Sequence, residues 1–324
     1  MKVKLNPITT LIFIFFQIFC NNLYAQSNHS EYVSKLAVDK ESYLPGRSVR
    51  KEVFERVLNA ISDIYTPIFE KSGYILIVSP AWDSQEMNAS LARFGSVPTL
   101  RLIQVLGGLA RYPNLTEDGI ALVMCHEVGH QLGGQPLQSN DLISSEGQSD
   151  YFAATKCLRK YFKTQRNSNE VVDTMMFIPS IVTQKCQEVW GKKTSENYAI
   201  CVRTSMAGYH LATFLAKEHR MPADPNDPHN TERVKVELDD ARLDLPDLSE
   251  NLETNFNDYP DAQCRLDTFF QGALCKVSED EQFSYMDASI GACNDYTQPG
   301  ARPRCWYNPT QSRAPYEFSM KYTL

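Results

Sequence analysis

The chain has 324 residues, of which 43% are hydrophobic and 22% charged, and its formal net charge is −7 at pH 7. An acidic, evenly mixed composition argues against nucleic acid and against anionic lipid as partners. The length suits one large domain, or one domain with an appendage, and is sufficient to bury a sizeable core.

The first 25 residues have the pattern of a secretory signal peptide. Lys2 and Lys4 precede an almost wholly apolar run, Ile8–Phe19, and Ala25 is the expected last residue of the cleaved segment. The apolar run is shorter than the roughly 20 residues that a membrane-spanning helix needs. We therefore expect an exported protein, periplasmic or secreted, with no integral membrane segment after residues 1–25 are removed.

The cysteines agree with export. Beyond the signal peptide the chain has Cys125, Cys157, Cys186, Cys201, Cys264, Cys275, Cys293 and Cys305. An even number in an exported chain predicts disulfides, although the sequence leaves their pairing open. The close spacing of the last four favours local bridges, Cys264–Cys275 and Cys293–Cys305.

In chain order, the apolar patterns predict an α+β fold that is mostly helical, with a small sheet after the first helix. The predicted strands are Tyr74–Val78 and Thr99–Val105. The predicted helices are Ser48–Tyr65, Thr116–Leu132, Ser144–Tyr161, Val171–Trp190 and Ser195–His219. Residues 221–262 are rich in Pro, Asp and Asn, which indicates a surface connection. We thus expect a main domain at 26–262 and a loop-rich, disulfide-stapled extension at 263–324 that packs on it.

The strongest motif is the string HEVGH at residues 126–130. On a helix, His126 and His130 lie one turn apart and point the same way, so that both imidazoles can bind one metal ion. Glu127 lies beside them and can act as general base towards an attacking water. The preceding turn, Ile120–Met124, is apolar, which predicts a buried helix.

A second pair of residues completes the predicted site. Glu146 and Asp150 are also spaced i, i+4 on a predicted helix, and the apolar residues Tyr151–Ala154 argue against a solvated helix face. A catalytic zinc ion takes three protein ligands and keeps one position open. We expect one Zn²⁺, bound by Glu146 together with the two histidines, and Asp150 hydrogen bonded to a ligand histidine.

These segments resemble those of known zinc peptidases. HEVGH followed by ExxxD is similar to the gluzincins, which include thermolysin, and two further stretches resemble the HtpX and CAAX-prenyl-protease family. These are Asn88-Ala89 before an extended segment and Tyr259–Arg265, which is similar to that family's His-Pro-x-x-x-x-Arg element. The resemblance implies a zincin-like catalytic domain with His126, His130 and Glu146 as zinc ligands.

The resemblance also implies roles for Tyr259 and Arg265. Arg265 falls on the family's arginine, which places substrate or braces the wall of the active site. Tyr259 stands where the family has a histidine that stabilises the oxyanion, and a phenol can also donate to one. The alternative donors in this chain are His210, His229 and Tyr209.

The sequence therefore predicts an exported zinc metalloendopeptidase that acts on a protein or peptide lying antiparallel along an edge strand at Thr99–Val105. A non-protein amide such as cell-wall peptide is a second substrate class. The alternative from another class is a zinc-stabilised binding or chaperone-like module with little or latent activity, in which the cysteine-rich tail covers the cleft. The sequence fixes neither the substrate nor the oligomeric state.

Overall fold

The computed structural model describes residues 48–94, 100–113, 115–138, 143–165, 168–218, 241–250 and 259–309. The predicted signal peptide, His229 and most of the predicted connection at 221–262 lie outside these ranges. Every statement below concerns the described residues.

The chain begins with an amphipathic helix that packs on a small sheet. Helix α1, Lys51–Lys71, buries one face at helical spacing, with Phe54, Leu58 and Ile61 fully enclosed. Three strands follow, namely β1 (Ile75–Ala81), β2 (Ala89–Phe94) and β3 (Leu100–Leu106).

The sheet has the order β1-β3-β2, so the predicted edge strand at Thr99–Val105 is wrong. β3 pairs in parallel with β1 on one side and antiparallel with β2 on the other. The physical reason is the additional strand Ala89–Phe94, whose main chain pairs with β3 and covers its edge. Among the described residues, β1 and β2 are thus the edge strands, and β2 packs against the helix Glu117–Leu132.

Helices make up the rest of the fold. After the short α2 (Gly107–Arg111) come α3 (Glu117–Leu132) and α4 (Glu146–Phe152), which continues through a π-helical turn at Ala153–Cys157 into α5 (Leu158–Gln165). The last helices are α6 (Ser168–Thr174), α7 (Ser180–Trp190), α8 (Glu196–Glu218) and α9 (Ala262–Leu274).

Two predictions about the helices are wrong. The single helix expected at Val171–Trp190 is divided between α6 and α7, because Pro179 disfavours a helical residue before it and itself caps α7. The loop-rich structure expected from residue 263 begins only after Leu274, because α9 is a buried helix. The predicted boundary between 262 and 263 thus falls in the first turn of α9.

The C-terminal region belongs to the same hydrophobic core as the sheet and α3. Trp306 and Phe283 are buried in the core cluster that also contains residues of α1, α3 and α4. Trp306 packs so closely on Gly147 that a Cβ atom there would lie 2.3 Å from its ring. A second cluster joins α7, α8 and α9.

Four disulfides link the described cysteines, namely Cys125–Cys157, Cys186–Cys201, Cys264–Cys305 and Cys275–Cys293. The predicted pairs Cys264–Cys275 and Cys293–Cys305 are wrong. Cys264 lies in the first turn of α9 and Cys275 directly follows its last residue, so the two are about 16 Å apart along the helix, far beyond disulfide reach. Each therefore pairs with a cysteine of the following segment.

None of the helices in the described ranges combines the length and the apolar character needed to cross a membrane.

Candidate metal centre

Helix α3 carries the HEVGH residues in a buried position. The hydroxyl of Thr116 caps its N-terminus by accepting a hydrogen bond from the Gly119 N–H at 3.1 Å. Along the helix His126, Glu127 and His130 are 6%, 6% and 8% exposed. Fourteen of the 16 residues of α3 are buried, so the core surrounds the helix on nearly all sides.

Helix α4 brings the second motif against the first. Ser145 caps α4 by accepting a hydrogen bond from the Gln148 N–H, which places Glu146 at the first helical position. Gly129 of α3 lies against the backbone of Ser149, and a Cβ atom at Gly129 would be 2.8 Å from the Ser149 carbonyl oxygen. This glycine therefore permits the close approach of the two helices.

The side chains of His126, His130 and Glu146 converge on one point. Nε2 of His126 lies 3.1 Å from Oε2 of Glu146, and Nε2 of His130 lies 3.6 Å from Oε1. The ligand atoms of the three residues all lie within 4.8 Å of one another. Oε2 of Glu146 is buried and has no hydrogen-bond partner. Two imidazole nitrogens and a carboxylate with an unsatisfied oxygen fit a bound metal ion.

The opposite nitrogen of each histidine is held by the protein. Nδ1 of His126 lies 2.6 Å from Oδ1 of Asp150. Nδ1 of His130 lies 3.0 Å from the Ser144 carbonyl oxygen and 3.0 Å from Oγ of Ser149. When Nδ1 carries the hydrogen that is donated to these acceptors, Nε2 presents its lone pair to the metal. The structure thus places Asp150 where the sequence predicted it.

Arg265, on α9, is bound to Asp150. Its Nε lies 2.7 Å from Oδ2 and its Nη2 lies 2.8 Å from Oδ1, and the arginine is 8% exposed. These contacts join three helices in the order Arg265, Asp150, His126. Of the two roles implied by the resemblance, this contact matches bracing of the site.

Tyr259 lies at the rim of the site. Its ring centroid is 5.7 Å from Cζ of Arg265. The residue as a whole is 55% exposed. Burial of the hydroxyl and the carboxylates of Glu146 and Glu127 raise the pKa of Tyr259, so that it keeps its proton at neutral pH.

Electrostatics separate the two glutamates. Burial raises the pKa of Glu127, against the opposing effect of the two histidines. Burial also favours the neutral form of Glu146, but His130, His126 and Arg265 outweigh it and lower its pKa. The surroundings therefore shift the pKa values of the two glutamates in opposite directions.

The charges around His126 and Asp150 reinforce one another. Burial lowers the pKa of His126, but Asp150 and then Glu146 raise it to about 10. For Asp150, burial is outweighed by Arg265 and His126, which lower its pKa. The carboxylates of Asp150 and Glu146 thus favour positive charge at this point, whether it is carried by His126 or by a bound metal ion.

The alternative donor His210 is remote from this site. It lies on α8 and lines a cavity of about 540 Å³ together with Thr116 and Asp118, at the N-terminal end of α3. Asp118 precedes His126 by about 12 Å along the helix axis. Tyr209, also on α8, packs against the second hydrophobic cluster.

Sequence reasoning missed the contacts that support the ligands. Gln138 donates a hydrogen bond from Nε2 to Oε1 of Glu146 at 3.4 Å. It follows the Gly-Gly end of α3, and no pattern singles it out there. The sequence could have indicated Ser149, because this residue lies at i+3 from Glu146 and hence on the same helix face.

No model of a known protein family matches this chain, and no curated protein and no solved structure matches it either.

Proposed function

We propose that this protein is an exported, zinc-dependent endopeptidase with a gluzincin-type site. The observation that carries the proposal is the convergence of His126, His130 and Glu146, with Glu127 beside them on α3. Two imidazole ligands and one carboxylate leave an open position for water or substrate, as in catalytic zinc sites. The donor set suits zinc better than magnesium or calcium, which prefer oxygen ligands.

A zinc ion, when bound, supplies a Lewis acid that polarises the scissile carbonyl and acidifies a water. Glu127 accepts the proton of the attacking water and afterwards delivers it to the departing amine. Burial raises the pKa of Glu127 above its ordinary value, which makes its carboxylate a stronger base than an exposed one. Tyr259 keeps its proton and can donate a hydrogen bond to the oxyanion.

The substrate is proposed to bind as an extra strand. β2 packs against α3, and within the described ranges its only strand partner is β3, so we expect its other edge to offer main-chain donors and acceptors to an extended peptide. Main-chain pairing along this edge would lead a peptide bond of the substrate towards the site. Such pairing does not depend on any particular side chain of the peptide.

Export is supported by the disulfides. Four bridges link the described cysteines, and such density is typical of oxidising compartments. Together with the signal-like residues 1–25, this favours a periplasmic or secreted enzyme.

The test is Glu127→Gln. We expect the variant to retain one zinc ion per chain by elemental analysis and to lose hydrolysis of a quenched-fluorescent peptide library by at least about 100-fold, because the proton acceptor is absent. Glu117→Gln, on the first turn of the same helix, is the matched control and should hydrolyse normally. Normal cleavage by Glu127→Gln would reject the assignment. Wild-type protein that holds zinc but hydrolyses no library or unfolded protein would favour the binding module instead.

A further inference from the structure

One arginine of the C-terminal region is almost completely enclosed. Arg302 is 1% exposed, and three aromatic rings surround its guanidinium group. Its Cζ lies 4.4 Å from the ring centroid of Tyr307, 5.4 Å from that of Tyr151 and 5.8 Å from that of Phe283. A guanidinium group keeps its proton in proteins, so this side chain carries a positive charge inside the fold.

The hydrogen-bonding capacity of Arg302 is only partly used. Its Nη2 donates a hydrogen bond to the Ala288 carbonyl oxygen at 2.7 Å. Its Nε and Nη1 are buried and have no hydrogen-bond partner among the described residues. Buried donors without an acceptor are rare in native proteins, because each one loses its hydrogen bonds to water without a replacement. The two nitrogens therefore indicate a further acceptor at this place.

The charge of Arg302 has no acidic partner in the part of the chain that the structure describes, since no carboxylate there lies within ion-pair distance of it. A second buried arginine adds to the positive charge. Arg159 is 5% exposed and donates its hydrogen bonds to main-chain carbonyl oxygens. The carboxylate whose charge acts on it, Glu279, forms an ion pair with Lys163. Burial raises the pKa of Tyr151, and the charges of Arg302 and Arg159 oppose that rise.

We propose that a monovalent anion of the size of chloride binds beside Arg302, accepts a hydrogen bond from Nε or Nη1, and neutralises the guanidinium group. The existence of this site does not depend on the proposed function. A water molecule would satisfy a donor but would leave the charge uncompensated, and a buried charge without a counter-charge is costly. Because three rings and a main-chain carbonyl group already surround the guanidinium, we expect a small ion and not a bulky one such as sulfate.

The enclosed arginine lies where the C-terminal region meets helix α4. The hydroxyl of Tyr151, on α4, donates a hydrogen bond to the Gly300 carbonyl oxygen at 2.6 Å and accepts one from the Cys293 N–H at 3.2 Å. An anion at Arg302 removes the cost of its buried charge beside these contacts. Since a ligand that binds only the folded protein stabilises it, chloride should stabilise the fold.

The first experiment is urea unfolding at constant ionic strength, with sodium gluconate replaced stepwise by sodium chloride. For a dissociation constant of about 10 mM, raising chloride from about 1 to about 200 mM should lower the unfolding equilibrium constant about 20-fold. In Arg302→Met, which keeps much of the side-chain volume and removes the charge, this dependence should disappear. Arg304→Met changes an exposed arginine two residues further on and should keep the wild-type dependence.

The second experiment uses the wild type alone, so that it decides even if Arg302→Met does not fold. In crystals soaked in sodium bromide, we expect an anomalous-scattering peak within hydrogen-bond distance of Nε or Nη1 of Arg302. The absence of a bromide peak at this position would overturn the inference. An equal chloride dependence in the wild type and in Arg302→Met would also overturn it, because the stabilising ion would then bind elsewhere, for example at the metal centre.

Discussion

The guanidinium of Arg265 holds the carboxylate of Asp150 through two hydrogen bonds, Nε to Oδ2 at 2.7 Å and Nη2 to Oδ1 at 2.8 Å. Because Oδ1 of Asp150 also binds Nδ1 of His126, the orientation of this proposed metal ligand on α3 depends on a residue of α9. We therefore infer that Arg265 acts as a positioning residue, since its described hydrogen bonds are with Asp150 and not with a proposed ligand atom.

We expect Arg265→Lys to lower metal affinity by about 10- to 100-fold, because an ammonium group cannot reproduce the paired geometry and the histidine loses its fixed orientation. At saturating zinc, kcat should change much less. Metal affinity by competition with a chelator and kcat at several zinc concentrations are the measurements. Arg203→Lys is the matched control, because Arg203 forms the same two-bond pair with Asp118 at the other end of α3. A loss of kcat in Arg265→Lys that zinc does not restore would assign it a direct role instead.

Tyr259→Phe tests the oxyanion donor. Removing one such donor costs on the order of 100-fold in kcat in other hydrolases, and we expect a loss of that size here with KM and zinc content unchanged. The rate should be measured at saturating zinc and peptide. Tyr296→Phe, at an exposed position of the C-terminal region, is the control. An unaltered kcat in Tyr259→Phe would show that the donor is another group.

The sequence was informative wherever the chemistry is local. The i, i+4 spacings of His126 with His130 and of Glu146 with Asp150 predicted their shared faces, and the capping residue Thr116 predicted where α3 begins. Helix periodicity is set by the backbone alone, so spacing fixes direction without knowledge of the rest of the fold.

Contacts between distant segments were beyond sequence reasoning. The disulfide pairing of Cys264 depends on where the chain returns after α9, and the order of the sheet depends on β2, whose short pattern Ala89–Phe94 is a weak strand signal. The pairing of Arg265 with Asp150 joins residues that only the tertiary fold brings together. The family resemblance pointed to Arg265 as a residue of the site, but only the structure identifies Asp150 as its partner.

The disulfide Cys125–Cys157 connects the metal-site helices directly. Cys125 precedes His126, and Cys157 ends the π-helical turn that continues the helix of Glu146. Replacing both cysteines by Ala should reduce the free energy of unfolding by about 2–4 kcal/mol and also weaken zinc binding, because the two ligand-bearing helices lose their covalent link.

The double variant of Cys186–Cys201 is the matched control for that experiment. This disulfide joins α7 to α8 within the second hydrophobic cluster, away from the ligands. We expect a comparable loss in urea-unfolding free energy and an unchanged zinc affinity at temperatures where both proteins are folded. Equal weakening of zinc binding in the two variants would mean that general destabilisation, and not the link beside His126, is responsible.

Asp267 on α9 gives a pH dependence of stability whose sign can be worked out. Burial raises its pKa to about 7, against hydrogen bonds from the Asp247 N–H and from Gln263. An acid whose pKa is higher in the folded state stabilises the fold below its unfolded pKa, near 4, and that contribution is lost as the pH rises towards 7. Relative to Asp267→Asn, the wild type should therefore lose roughly 4 kcal/mol of unfolding free energy between pH 4 and pH 8. Urea unfolding across this range is the measurement.

Asp295→Asn is the control. Any change with pH in the difference in unfolding free energy between the wild type and this variant should have the opposite sign, because hydrogen bonds from Thr297 lower the pKa of exposed Asp295. A pH-independent difference between the wild type and Asp267→Asn would show that the carboxyl group is not desolvated in solution.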